Sequence, residues 1–109
     1  MTSEKIKDTF AIAFKYPYIK KAGIFGSYAR EEQTNRSDLD VILEYDDSSD
    51  SFMDDLGGFM EDIEQKITCG IDYITLNGLS KSKDANFREQ VLNDVKWLYV
   101  ADKAGKNEN

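Results

Sequence analysis

The sequence predicts one compact α/β (α+β) domain with the element order α-β-α-β-α-β-α. Three observations predict it. Stretches with apolar residues at helical spacing alternate with short runs rich in branched and aromatic residues. A length of 109 residues, 40% of them hydrophobic, gives room for one core. No internal repeat and no linker interrupts the pattern, so residues 1–109 read as a single domain, with 103–109 as a disordered tail.

Residues 3–15 place Ile6, Phe10 and Phe14 at helical spacing, and Pro17 lies just beyond the expected helix end. A short strand covers 20–25 and stops at Gly26, after which 27–32 can form a short helix. DLDVILEY, residues 38–45, reads as a buried strand. A polar turn from Asp46 to Ser51 follows, whose last residues can cap a helix. That helix covers 51–67, with apolar positions Phe52, Met53, Leu56, Phe59, Met60, Ile63 and Ile67, and Gly57-Gly58 weakens it. IDYIT after Gly70 is the third strand, and a turn over 77–84 leads to a helix near 84–96. The closing apolar stretch Trp97, Leu98, Tyr99 finishes the core or offers a subunit contact in a homo-oligomer.

Composition excludes much. No apolar run approaches the roughly 18 residues of a membrane span, and the charged N-terminus lacks a signal peptide's apolar stretch, so a cytoplasmic location is expected. Cys69 is the sole cysteine and reads as a small buried residue without an activating basic neighbour. The net charge is −7, with 14 basic residues scattered among 21 acidic ones. Nucleic-acid binding draws on clustered Lys and Arg, so direct binding to DNA or RNA is not expected. The chain has no histidine, which removes Ser-His-Asp and Cys-His catalysis and imidazole acid–base chemistry. Carboxylates with metal ions are left to carry any chemistry. The acidic turn Asp46, Asp47, Asp50 lacks calcium-loop spacing and reads as solvated.

One constellation stands out in KAGIFGSYAREEQTNRSDLDVILEY. A strand ends in Gly26-Ser27, where a helix is expected to begin; helix starts present free N–H groups, glycine permits close approach of an anion, and the serine hydroxyl adds a donor. Ten residues separate Ser27 from Asp38-Leu39-Asp40. On a strand, residues i and i+2 share a face, so the two carboxylates lie about 6.5 Å apart along the chain while Leu39 and Val41 face the other way. Paired carboxylates repel unless a cation intervenes, and hard oxygen donors of this kind suit Mg²⁺. An Asp-x-Asp alone is expected about once by chance in so aspartate-rich a chain. The signal is the joint placement with the chain's single Gly-Ser pair.

This arrangement resembles the signature of the DNA polymerase β-like nucleotidyltransferases, and IFGSYAR with SDLDVILEY is similar to the minimal nucleotidyltransferase (MNT) branch. IDYITLNGLS resembles that branch's segment with a third acid, here Asp72. The resemblance implies a mixed β-sheet flanked by helices. It implies that Asp38 and Asp40 hold two Mg²⁺ ions and that Asp72 joins the catalytic metal and helps activate an acceptor hydroxyl. Gly26 and Ser27 would grip the phosphates of ATP, and Arg30 matches a basic position that balances phosphate or a carboxylate. MNT proteins are partnered with HEPN-domain toxins, which they neutralise as antitoxins by moving AMP from ATP onto a toxin tyrosine; an acidic surface suits a basic partner. Many members carry glycine directly after this arginine, where this chain has Glu31, a bulky acid expected beside the triphosphate. Two alternatives stay open: a catalytically weak module that neutralises the same partner by contact alone, and modification of a small molecule.

Overall fold

A computed structural model describes residues 2–101, which form a four-stranded mixed sheet with helices on both faces. The expected tail, 103–109, lies outside the described residues. Helix α1 (Ser3–Phe10) starts where the Thr2 hydroxyl accepts a hydrogen bond from the Lys5 N–H. It tightens into a 3₁₀ turn, Ala11–Lys15, two residues short of Pro17. Strand β1 (Ile19–Phe25) leads into the four-residue turn α2 (Gly26–Ala29), and β2 (Leu39–Tyr45) returns antiparallel to β1. Helix α3 (Ser51–Lys66) is the crossover that sets β3 (Ile71–Thr75) parallel to β2.

The C-terminal third departs from the expected order. The turn over 77–84 contains a short helix, α4 (Leu76–Leu79), capped by the Thr75 hydroxyl. Helix α5 is shorter than 84–96, running Ala85–Asp94 from an Asp84 cap. The closing apolar stretch is a strand, β4 (Lys96–Val100), antiparallel to β1, giving the order β3-β2-β1-β4. Pairing with β1 satisfies one side of its backbone while Trp97, Leu98 and Tyr99 pack against the core. Ser51 is the first residue of α3, and Asp50 before it makes no side-chain cap. The acidic turn is instead closed locally, by the Ser48 N–H donating to Asp46 and the Ser51 N–H to the Ser49 hydroxyl.

The two faces of the sheet differ. On one, Leu39, Val41 and Leu43 of β2 pack with Ile6 and Phe10 of α1 and Phe59 and Ile63 of α3. Phe10 and Phe59 meet edge to face at 5.6 Å, and each fully buried ring contributes about 1.5–3 kcal/mol. Helix α3 runs unbroken through Gly57-Gly58, and the missing side chain of Gly58 makes room for the Tyr16 ring, which a Cβ would meet at 2.7 Å. Tyr16 also donates a hydrogen bond to Asp62 of α3, which raises the Tyr16 pKa to about 12. The opposite face carries a smaller cluster, Phe25, Ile42, Leu79 and Val91, under α4 and α5. No helix among the described residues is long and apolar enough to cross a membrane.

Candidate active site

Strand alternation decides which face each acid takes. Leu39, Val41 and Leu43 occupy the α1–α3 core, so Asp40 and Ile42 point to the α4–α5 face. Asp40 is the direct register partner of Asp72 across the parallel β2–β3 pair, which puts both on that face. Asp38 precedes the first residue of β2 rather than opening the strand; its carboxylate lies against Gly70, where a Cβ would stand 2.5 Å from Oδ1. The Leu39 N–H donates to the Gly70 carbonyl at 2.8 Å and ties this strand entrance to β3. The chain thus brings Asp38, Asp40 and Asp72 together at one end of the sheet.

Phe25, the last residue of β1, pairs with Asp40 on its other side. Gly26 then turns the chain with φ +72°, a conformation that glycine adopts without a Cβ penalty. The space a Cβ would fill is occupied by the Asp40 carboxylate. Gly26 and Ser27 therefore sit directly beside Asp40, and all three line a cleft of about 320 Å³ under α5. The first N–H groups of a helical turn have no partner within it, so α2 supplies donors at this cleft.

Burial raises the Asp40 pKa above the usual carboxylate range, and the charges of Asp72 and Asp38 add to it, partly offset by Arg30. Three acids within electrostatic reach of one another, offering only hard oxygen donors, are the chemistry Mg²⁺ takes. Among the described residues no group of three or more His, Cys, Asp or Glu side chains is placed to hold a metal ion without rearrangement or further donors. An ion that keeps waters and substrate phosphates in its shell suits so open a donor set.

Arg30 stands at the cleft rim between two carboxylates, donating to Asp94 at 2.5 Å and to Glu32 at 3.0 Å. Both partners are carboxylates of the chain itself. Glu31 departs from expectation: its side chain is 71% exposed and reaches Lys96 at 3.5 Å, outside the cleft lining. Its backbone has φ +60°, the left-handed region. That is the physical reason a glycine suits the position. Left-handed φ costs a non-glycine residue roughly 1–2 kcal/mol, and glycine's extra chain entropy gives back about 0.5–1 kcal/mol. Glu31→Gly is thus expected to stabilise the fold by up to about 1.5 kcal/mol in thermal melts. A loss of stability would show that the exposed Lys96 pair outweighs the strain.

Helix α5 supplies site residues that sequence reasoning missed. Phe87, Gln90, Val91 and Asp94 line the cleft at spacings i, i+3, i+4 and i+7, one face of the helix. That spacing was the available signal, although the stripe mixes polar and apolar residues. Cys69 is partly buried and accepts a hydrogen bond from the Tyr28 hydroxyl at 3.7 Å, joining α2 to the loop before β3.

Comparison with known proteins agrees with this geometry. Residues 4–104 match the family model described as polymerase beta, nucleotidyltransferase. A candidate protein adenylyltransferase of Methanocaldococcus jannaschii is 30% identical over 77 residues, covering 71% of this chain and 76% of that protein. Among solved structures, a toxin–antitoxin with AMP-PNP superposes with a TM-score of 0.59 at 19% identity, over 94% of this chain and 77% of that one. A chain of the tri-AMPylated Shewanella oneidensis HEPN toxin in complex with MNT antitoxin gives a TM-score of 0.57 at 15% identity, over 96% and 78%. At these identities the structural likeness is one of fold.

Proposed function

This chain belongs to the polymerase β nucleotidyltransferase family, and from that premise we propose that it uses Mg²⁺ to transfer AMP from ATP to a hydroxyl of a protein partner. The partner we propose is a HEPN-domain toxin, which the transfer neutralises, making this protein the antitoxin. The observation that carries the reading is the convergence of Asp38, Asp40 and Asp72 beside Gly26-Ser27. The adenylyltransferase relative and the AMPylated HEPN complex support the choice of AMP and of partner. A net charge of −7 suits a basic partner and disfavours nucleic acid.

In this mechanism Gly26 and Ser27 offer donors to the ATP phosphates in the cleft. Asp38, Asp40 and Asp72 would hold Mg²⁺, which would supply charge neutralisation for the transfer. The acceptor hydroxyl oxygen attacks the α-phosphorus, the bond to the β-phosphate bridging oxygen breaks, and pyrophosphate leaves. Asp72, an exposed residue beside Asp40 on the neighbouring strand, takes the hydroxyl proton. Arg30 holds Asp94 and Glu32 at the rim, and its charge favours the ionised form of Asp40.

Mass spectrometry of a co-expressed HEPN-domain partner tests the proposal. An AMP adduct that requires Asp38 is expected. A tight, unmodified complex formed equally well by Asp38→Ala would overturn it in favour of neutralisation by contact.

A further inference from the structure

A second cleft adjoins the first. It is lined by Ile74, Thr75, Gly78, Leu79, Ser82 and Phe87 and has a volume of about 270 Å³. Phe87 lines both clefts. Along α5, the step from Phe87 to Asp94 covers about 10 Å at 1.5 Å per residue. The groove beneath the helix therefore has a polar end, at Gly26, Ser27 and Arg30, and an apolar end, at Ile74 and Leu79. A nucleotide has the same asymmetry on the same scale, anionic at one end and planar and apolar at the other.

We infer that the apolar cleft between α4 and α5 seats the nucleobase, with Phe87 as the ring against which it packs; the inference rests on the nucleotide-binding reading above. Phe87 is 41% exposed, so a ring face is open to a ligand. The Thr75 hydroxyl accepts from the Gly78 N–H at 3.0 Å and the Ser82 hydroxyl from the Asp84 N–H at 3.2 Å. Each hydroxyl keeps its own proton to donate to a ring nitrogen. The floor on the sheet side is Ile74, two residues along the same face of β3 from Asp72. A base seated there keeps the reacting phosphate close to the acids.

Calorimetry in Mg²⁺ with two probes tests this, AMP-PNP and inorganic tripolyphosphate. The wild type is expected to bind AMP-PNP more tightly than tripolyphosphate. Phe87→Ala should weaken AMP-PNP about tenfold or more, in line with stacking of a base on an aromatic ring, and leave tripolyphosphate within about twofold. Phe87→Tyr should restore AMP-PNP binding, and Ser82→Phe, which fills the cleft, should weaken it. Equal affinity of the wild type for both probes would overturn the inference, as would equal weakening of both by Phe87→Ala. Unchanged AMP-PNP binding with a raised KM for the protein acceptor would give the cleft to the acceptor and overturn it too. Failure of the transfer reading is separate: AMP-PNP binds as expected but no partner becomes modified.

Discussion

Asp40→Asn is expected to lower AMP transfer by about 10³-fold or more while stabilising the metal-free protein. The loss follows from the place of Asp40, between Phe25 of β1 and Asp72 of β3, at the centre of the three acids. Asparagine keeps the shape and removes the charge that a cation needs. The gain in stability follows from linkage. Burial and the charges of Asp72 and Asp38 raise the Asp40 pKa in the folded state. A carboxyl whose folded pKa is raised favours folding below its unfolded value, and that contribution disappears as pH rises through the folded pKa. At neutral pH the wild type therefore carries an ionised carboxylate that the fold disfavours, and Asn removes the penalty. The gain should be at most about 1 kcal/mol, as for other partly solvated charges, and should vanish below the unfolded carboxylate range near pH 3.8. Thermal melts with and without Mg²⁺ across pH, beside a transfer assay, check both halves. A large loss of apo stability would mean that Asp40 is a structural residue.

The parts of the site legible in the sequence were those governed by short-range rules. Period-two alternation placed Asp40 with Leu39 facing away, and Ile71 and Tyr73 opposite Asp72, while Asp38 lies just before the strand. What was not legible depends on pairings distant in the chain. Arg30 holds Asp94, 64 positions away, and nothing local to either residue announces that bond. Strand β4 is a short apolar run after a helix, which periodicity alone cannot tell from a helix end; it is a strand because β1 offers a free edge to Lys96 through Val100. The Glu31 side chain escapes the cleft because its left-handed backbone turns it toward Lys96. A glutamate gives no sequence sign of that conformation, whereas a glycine would.

Gly26→Ala is expected to cost more than any change of its size elsewhere in the site. Two separate effects meet at this residue. Its φ of +72° strains any residue with a Cβ by roughly 1–2 kcal/mol. The new methyl group would also enter the space of the Asp40 carboxylate, which must rotate away because the backbone of β1 and α2 is held by its neighbours. Rotation of a side-chain end costs little stability, but it removes Asp40 from the shared space with Asp38 and Asp72. The fold should lose about 1–2 kcal/mol, and transfer should fall by about 10²-fold or more, since positioning errors of this scale have such effects. A double-mutant cycle separates the causes. In an Asp40→Ala background the steric conflict is gone, so Gly26→Ala should then cost only the backbone strain and no further activity. Calorimetric melts and transfer rates on the four proteins decide it. If the activity losses of the two single substitutions simply multiply in the double mutant, Gly26 does not act through Asp40, and the clearance it gives that carboxylate has no role in transfer.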